Sequence, residues 1–229
     1  MEQERYNLFN LIHKGLRHVL YDVAVKIQRT DFGSTSESFE TISRLEVLID
    51  YFDGHAEAED TFILPALHRY DPVLVDDFEK QHVEDHRLGD LLGDIILSIK
   101  AEESNSNRIH LGQKLLHAYH EFVAFNLYHM NKEEDVLNKV LWQNFTDHEL
   151  QAITQQIIQS IKPQKLMALN RWMMRSINIS EATGWLKGIQ RAAPEALFVM
   201  YLQLAEEELT PEMSTELRQR LGIRESITL

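Results

Sequence analysis

Two glutamates that the helical periodicity of the chain forces indoors constrain its fold more than any other feature. Glu59 and Glu133 each follow a histidine by four residues, in His55-Ala56-Glu57-Ala58-Glu59 and in His129-Met130-Asn131-Lys132-Glu133. On a helix, positions i and i+4 lie one above the other, so each pair presents an imidazole nitrogen and a carboxylate oxygen on one face. The apolar stripe runs straight through both pairs. In one segment it reads Leu45, Leu48, Phe52, His55, Glu59 and then Phe62 or Ile63; in the other it reads Leu111, Leu115, Ala118, Phe122, His129, Glu133 and Val136. A buried carboxylate with neither cation nor partner costs several kcal/mol. Two of them in one core call for positive charge between them, and imidazole beside carboxylate is a donor set suited to iron, manganese or zinc.

Long segments of 3.6-residue period dominate, with 9 glycines and 5 prolines in 229 residues and no alternating strand pattern, so the expected class is all-α. The first helix is expected over residues 5–29, with Phe9, Ile12, Leu16, Leu20, Val23 and Ile27 on its stripe and His13 among them. A loop over Thr30–Ser36 follows, with Ser36 or Ser38 as N-cap of a second helix that reaches Leu67 and is bent by Pro65. Asp71-Pro72 opens a third helix to about Glu103, whose inner line is read as Val75, Phe78, His82, His86, Gly89, Gly93 and Ile96. The two glycines on that line imply a close helix approach or room for a ligand. A fourth helix spans about 108–141.

Four long amphipathic segments joined by short loops form the pattern of an up-down four-helix bundle, here assigned to residues 1–145. Thr146 to Glu149 is a capping box that opens a connector helix over 146–162. From 163 to 229 shorter segments follow, at 164–177, 181–192, 195–208 and 211–221. They carry Trp172, Trp185, Phe198 and Tyr201 but no histidine, and read as a small C-terminal helical extension that packs on the bundle or on a partner subunit.

Charge and composition narrow the function. The net charge of −13 argues against nucleic acid or an anionic membrane as partner. The absence of cysteine excludes disulfides, thiolate metal sites and a cysteine nucleophile. The opening Met1-Glu2-Gln3-Glu4-Arg5 does not read as a signal peptide, and no 18-residue apolar run is present, so a cytoplasmic location without membrane association is expected.

Not every histidine belongs to a site. Asp, Glu and His together make up about one residue in five, so chance places one of them four after a histidine about twice in eleven; here it happens six times, after His18, His55, His82, His86, His117 and His129. His117 and Glu121 lie beside the stripe and read as a solvated pair, and His18 with Asp22 is also off its stripe. His68, His110, His120 and His148 read as surface residues. A zinc-protease helix would need glutamate directly after its first histidine, whereas the run here is His82-Val83-Glu84-Asp85-His86. Ferritin-like di-iron sites use Glu-x-x-His, the opposite order with closer spacing.

One histidine in the first segment, His-x-x-x-Glu in the second, His-x-x-x-His in the third and His-x-x-x-Glu in the fourth resemble the hemerythrin-like (HHE cation-binding) domain. His13-Lys14-Gly15-Leu16-Arg17, His55 through Leu64-Pro65-Ala66-Leu67, and His129 through Glu133-Glu134 are similar to that family's words. The resemblance covers about residues 5–145; the last third resembles extensions on some bacterial members. It implies two non-heme iron ions, with manganese or zinc as alternatives, joined by an oxo or hydroxo bridge. By position, His13, His55, His82, His86 and His129 would be terminal ligands, and Glu59 and Glu133 would bridge. Those groups fill all but one of about twelve positions around two octahedral irons. Dioxygen, peroxide or nitric oxide could occupy the last. Oxygen-carrying members place the final carboxylate five residues after the histidine, which would be Glu134; other bacterial members place it at four, which is Glu133. Relatives with one histidine in the third helix would leave His82 or His86 off the metal and open more positions.

The function expected from this resemblance is binding or sensing of a small diatomic or peroxide ligand at an open iron position. The alternatives are an enzyme that turns over peroxide or nitric oxide or serves iron homeostasis or iron–sulfur repair, and a binding module with a structural metal. Family members that repair clusters often carry a cysteine-containing N-terminal segment, and this sequence has no cysteine. The C-terminal extension is the expected surface for a homo-oligomer or protein partner.

Overall fold

The computed structural model describes residues 5–223; the opening Met1-Glu2-Gln3-Glu4 and the last six residues lie outside them. The described chain is helical, with no strand among the described residues. In order come α1 (Asn10–Arg29), α2 (Thr35–Ala58), a π-helical turn (Glu59–Ile63), α3 (Leu64–Leu67), α4 (Pro72–Ala101) and α5 (Asn105–Lys132). A second π-helical turn (Glu133–Leu137) leads to α6 (Asn138–Asn144) and α7 (Asp147–Ser160). Then follow α8 (Pro163–Ser176), α9 (Ile179–Ala192), α10 (Glu195–Glu208) and α11 (Pro211–Leu221). No helix among the described residues is long and apolar enough to cross a membrane.

Short polar side chains set the helix starts. The Asn7 amide oxygen accepts from the backbone N–H groups of Phe9 (2.9 Å) and Asn10 (3.0 Å), which holds residues 5–7 out of the helix and moves its start to Asn10. The cap of α2 is Ser34 rather than Ser36 or Ser38; Ser38 is buried and its hydroxyl donates to the carbonyls of Ser34 and Phe32. Asp71 accepts from Leu74 N–H at 3.0 Å, with Pro72 in the first turn, as its sequence suggests. The helix expected from 108 starts at Asn105, because Ser104 caps it. Arg108, buried, instead ties two loops together by donating to the carbonyls of Phe32 (3.0 Å), Gly33 (3.1 Å) and Glu102 (3.0 Å).

The chain divides into two compact units, Met1–Asn10 with Leu16–Ile161 and Leu11–Gly15 with Lys162–Leu229. In the first, α4 runs alongside both α2 and α5. Phe52 and Phe122 meet edge-to-face at 5.3 Å, and the buried Tyr119 hydroxyl donates to the Leu20 carbonyl at 2.8 Å. A second apolar cluster gathers Phe9, Ile63, Leu64, Leu67, Val75, Phe78, Leu137, Leu141 and Leu150. Ile63 and Leu137 end the two π turns, Leu64, Leu67 and Leu141 come after them, and Leu150 comes from α7. Full burial of each such side chain is worth about 1.5–3 kcal/mol.

The close approach expected at Gly89 and Gly93 occurs elsewhere. A Cβ at Gly93 would meet nothing within 4 Å and one at Gly89 only Ile49 at 3.8 Å, whereas one at Gly112 would fall 2.3 Å from the Phe32 ring. Gly112 is the notch that admits Phe32 to α5.

The second unit has its own core of Met174, Ile177, Ala182, Leu186, Phe198, Leu204, Ala205, Leu217 and Leu221, with Leu11, Trp185 and Tyr201 packed on it. Asn178 and Glu181 form a capping box at α9, and Gly222 ends α11 in the left-handed conformation at φ 72°. The Glu208 carboxylate takes ion pairs from Arg171 and Arg175.

Candidate metal centre

The two His-x-x-x-Glu words arrive at one place in the first unit because each ends a long helix with its carboxylate inside. Glu59 is 1% exposed and Glu133 0%. A π-helical turn begins at each of these glutamates, and Leu64 N–H and Asn138 N–H close the two turns on their carbonyls. The proline expected to bend the first segment follows that turn, but the second has Lys139 in the matching place, so proline is not the shared cause. The two π turns share the buried glutamate itself. Such turns insert one extra residue into a helix and recur at functional sites; here each lets the helix carry an inward carboxylate and then return Ile63 and Leu64, or Leu137, to the apolar cluster.

Donor atoms within 4.8 Å of one another form two groups. One is Glu59, His82, His129 and Glu133, all buried. In the other, His55 joins the same two glutamates; His13 of α1 is buried and belongs to the second unit. Both groups use the same two glutamates. Glu59 turns its two oxygens to different groups: Oε1 lies 3.2 Å from His55 Nε2, and Oε2 lies 3.1 Å from His82 Nε2. Glu133 Oε1 lies 2.7 Å from His129 Nε2. The His82 and His129 rings stand edge-to-face at 5.0 Å, and Phe125 stacks on His129 at 5.8 Å.

Burial, and next the charge and hydrogen bond of the neighbouring Glu133 carboxylate, push the Glu59 pKa well above the ordinary carboxylate range. Such a facing pair keeps a proton unless cations replace it.

The two remaining candidates separate cleanly. His86 joins neither group: its side chain is 49% exposed, with Nδ1 3.2 Å from Asp53 Oδ1. Glu134 points away, its Oε1 accepting from Arg17 Nη1 at 2.8 Å. His68, His110, His117, His120 and His148 are exposed.

Three further residues at the site, Asp60, Gln81 and Asp85, were not among those expected from the sequence. Asp60 Oδ1 lies 2.6 Å from His82 Nδ1, and Gln81 Oε1 lies 3.2 Å from His129 Nδ1, so both rings are held by the nitrogen that faces away from the glutamates. Gln81 is steadied by Asp77, which pairs with Lys132. Asp85 is buried beside His82 and His129 and accepts from Asn126 Nδ2 at 2.6 Å; burial raises its pKa. The signal for Asp85 was present. Val75, Phe78, His82, Asp85, Gly89, Leu92, Ile96 and Ile99 follow a strict three-four alternation that passes through Asp85 and excludes His86.

The chain was compared with models of protein families, with curated proteins and with solved structures, and it matches none of them.

Proposed function

We propose that this chain holds a pair of non-heme iron ions and binds or senses a small ligand such as dioxygen, peroxide or nitric oxide at positions left open on them. The observation that carries the reading is the sharing of Glu59 and Glu133 by two otherwise separate histidine sets. One ion would take His13 and His55, the other His82 and His129, with both carboxylates between them. The donor chemistry fits: imidazole and carboxylate suit iron, and manganese or zinc less selectively. A cation pair would also relieve the mutual repulsion of two buried glutamates, which the fold retains at a cost.

A hemerythrin-like arrangement of α1, α2, α4 and α5 as an up-down bundle is consistent with one histidine coming from each of these four helices. With His86 turned to solvent, four histidines and two bridging glutamates leave about four of twelve positions for water and exogenous ligands. That favours reaction with peroxide or nitric oxide over reversible oxygen carriage, which needs a single open position. Iron would supply the redox chemistry. The chain's own part is to fix the imidazole rings from behind through Asp60 and Gln81, and to wall the pair with Phe78 and Phe125.

Metal content together with the near-ultraviolet and visible spectrum of protein purified in air, before and after azide, tests this. Two irons per chain with charge-transfer bands that shift on azide are expected. A colourless protein with one zinc and no azide response would refute the open iron pair.

A further inference from the structure

We propose that Asp85 is a specificity-determining residue of the site, the carboxyl that hydrogen-bonds the exogenous ligand and selects hydrogen peroxide over nitric oxide and dioxygen. The inference deepens the paired-metal reading above and rests on it.

The position of Asp85 follows from the pairing of α4 with α5. Asp77 meets Lys132, Gln81 meets His129 and Asp85 meets Asn126, so the two helices run antiparallel and in register. Asp85 lies three residues after His82, and Asn126 three residues before His129. Both steps therefore lead the same way along the bundle, by about 4.5 Å. The Asp85–Asn126 pair, bonded at 2.6 Å, forms the layer next to the His82 and His129 rings, which stand 5.0 Å apart. Both side chains are buried, and beyond them the same two helices turn apolar at Leu88, Leu92, Ala118 and Phe122.

The Asp85 carboxyl stands against the donor set without joining it. It belongs to neither group of converging donors, yet Glu59 feels its charge and it feels those of His82 and His129. Asn126 Nδ2 holds Oδ1 while also donating to the Phe122 carbonyl at 3.1 Å, and Oδ2 takes no donor from the described residues. A buried polar atom left idle in this way calls for a partner. Hydrogen peroxide suits it in either protonation state, since HO–OH donates to a carboxylate and accepts from a carboxylic acid. Nitric oxide and dioxygen have no proton to give. A site built to bond a ligand hydroxyl discriminates strongly against an analogue that lacks one, because its own buried group is then left unpaired. The competing role for the pair is to fix the register of α4 on α5, and the two roles differ in how the ligands respond.

The test compares wild type, Asp85→Leu and Asp85→Asn. Melting curves in chelator and calorimetric uptake of ferrous ion come first. Nitric oxide affinity, read from the visible spectrum, and the stopped-flow rate with hydrogen peroxide follow on the iron-loaded proteins. Both variants should take up iron within about twofold of wild type, because Asp85 supplies no donor to either group. Asp85→Leu should slow the peroxide reaction by about 10–100-fold, the loss of one strong buried hydrogen bond, and leave nitric oxide affinity within about twofold. Asp85→Asn, which keeps hydrogen-bonding atoms in place, should recover most of the peroxide rate. Where Asp85→Leu does not fold, Asp85→Ala carries the same comparison. Equal losses towards both ligands, or loss of iron in every variant with a lower melting point, would mean a register-fixing role and overturn the inference. A wild-type peroxide rate without the carboxyl would overturn it too. Uptake of no iron by wild type would instead overturn the paired-metal reading, and this inference with it.

Discussion

Glu59→Gln should make the metal-free chain more stable while abolishing the metal uptake proposed above. The amide keeps the shape of the side chain and can still accept from a histidine, but it removes one of two negative charges that face each other in a dry core. Exchanging buried charge for a neutral group commonly gains about 1–4 kcal/mol, and a proton shared with Glu133 already recovers part of that, so about 2 kcal/mol is expected. For a chain of this size, that corresponds to a melting point roughly 4–8 °C higher in chelator. The gain must also depend on pH in a fixed direction. A carboxyl whose folded pKa is raised binds its proton more tightly when folded, so its contribution is fully present below the ordinary glutamate pKa of 4.5 and is lost as pH rises through the raised value. The gap between variant and wild type should therefore be small near pH 5 and widen towards pH 8. With ferrous ion at about 100 times its dissociation constant, the order reverses: wild type gains about 2.7 kcal/mol from binding and Glu59→Gln gains little. Thermal unfolding followed by circular dichroism at the two pH values, with chelator and with metal, measures all of this. A variant that melts below wild type in chelator at pH 8, or that keeps the full metal increment, would refute the reasoning.

Two further substitutions probe the neighbouring geometry. His86→Ala should leave metal uptake within about twofold, whereas His82→Ala should lower it by about 100-fold or more; equal losses in the isotherms would restore His86 to the ligand set. Gly112→Ala would drive a methyl to within 2.3 Å of the Phe32 ring and should cost about 1–3 kcal/mol by denaturant unfolding, whereas Gly93→Ala, with open space around it, should gain about 0.5–1 kcal/mol.

Helical class and the inward positions of His55, Glu59, His129 and Glu133 were legible because burial in helices is periodic and a carboxylate on an apolar stripe stands out. The loop capping was partly legible: Asp71 and Thr146 cap as their sequences suggest, but Ser34 displaced Ser36 because Ser38 was needed inside. The third segment misled at one point. Listing every histidine at i+4 placed His86 on the stripe, although Leu88, Leu92 and Ile99 already fixed a phase that passes through Asp85. Asp60 and Gln81 were not legible at all. Each acts on a histidine of a different helix, and which polar surface residue reaches across an interface depends on helix rotation, which periodicity alone does not determine.

The two π turns bind these observations together. In a regular α-helix, the residue after a stripe position points about 100° away from it, whereas the half-exposed Asp60 still reaches the ring that Glu59 touches. A turn closed from Glu59 to Leu64 winds less per residue, and it brings Glu59 and Asp60 to opposite edges of the same imidazole. The same widening at Glu133 puts Glu134 within reach of Arg17 on α1. A sequence segment that reads as an ordinary amphipathic helix therefore contains a local departure from helical geometry at each glutamate. That departure falls where the fold also buries two facing carboxylates. On the paired-metal reading proposed above, cations between the carboxylates would offset the charge, and the two turns would present both glutamates to them.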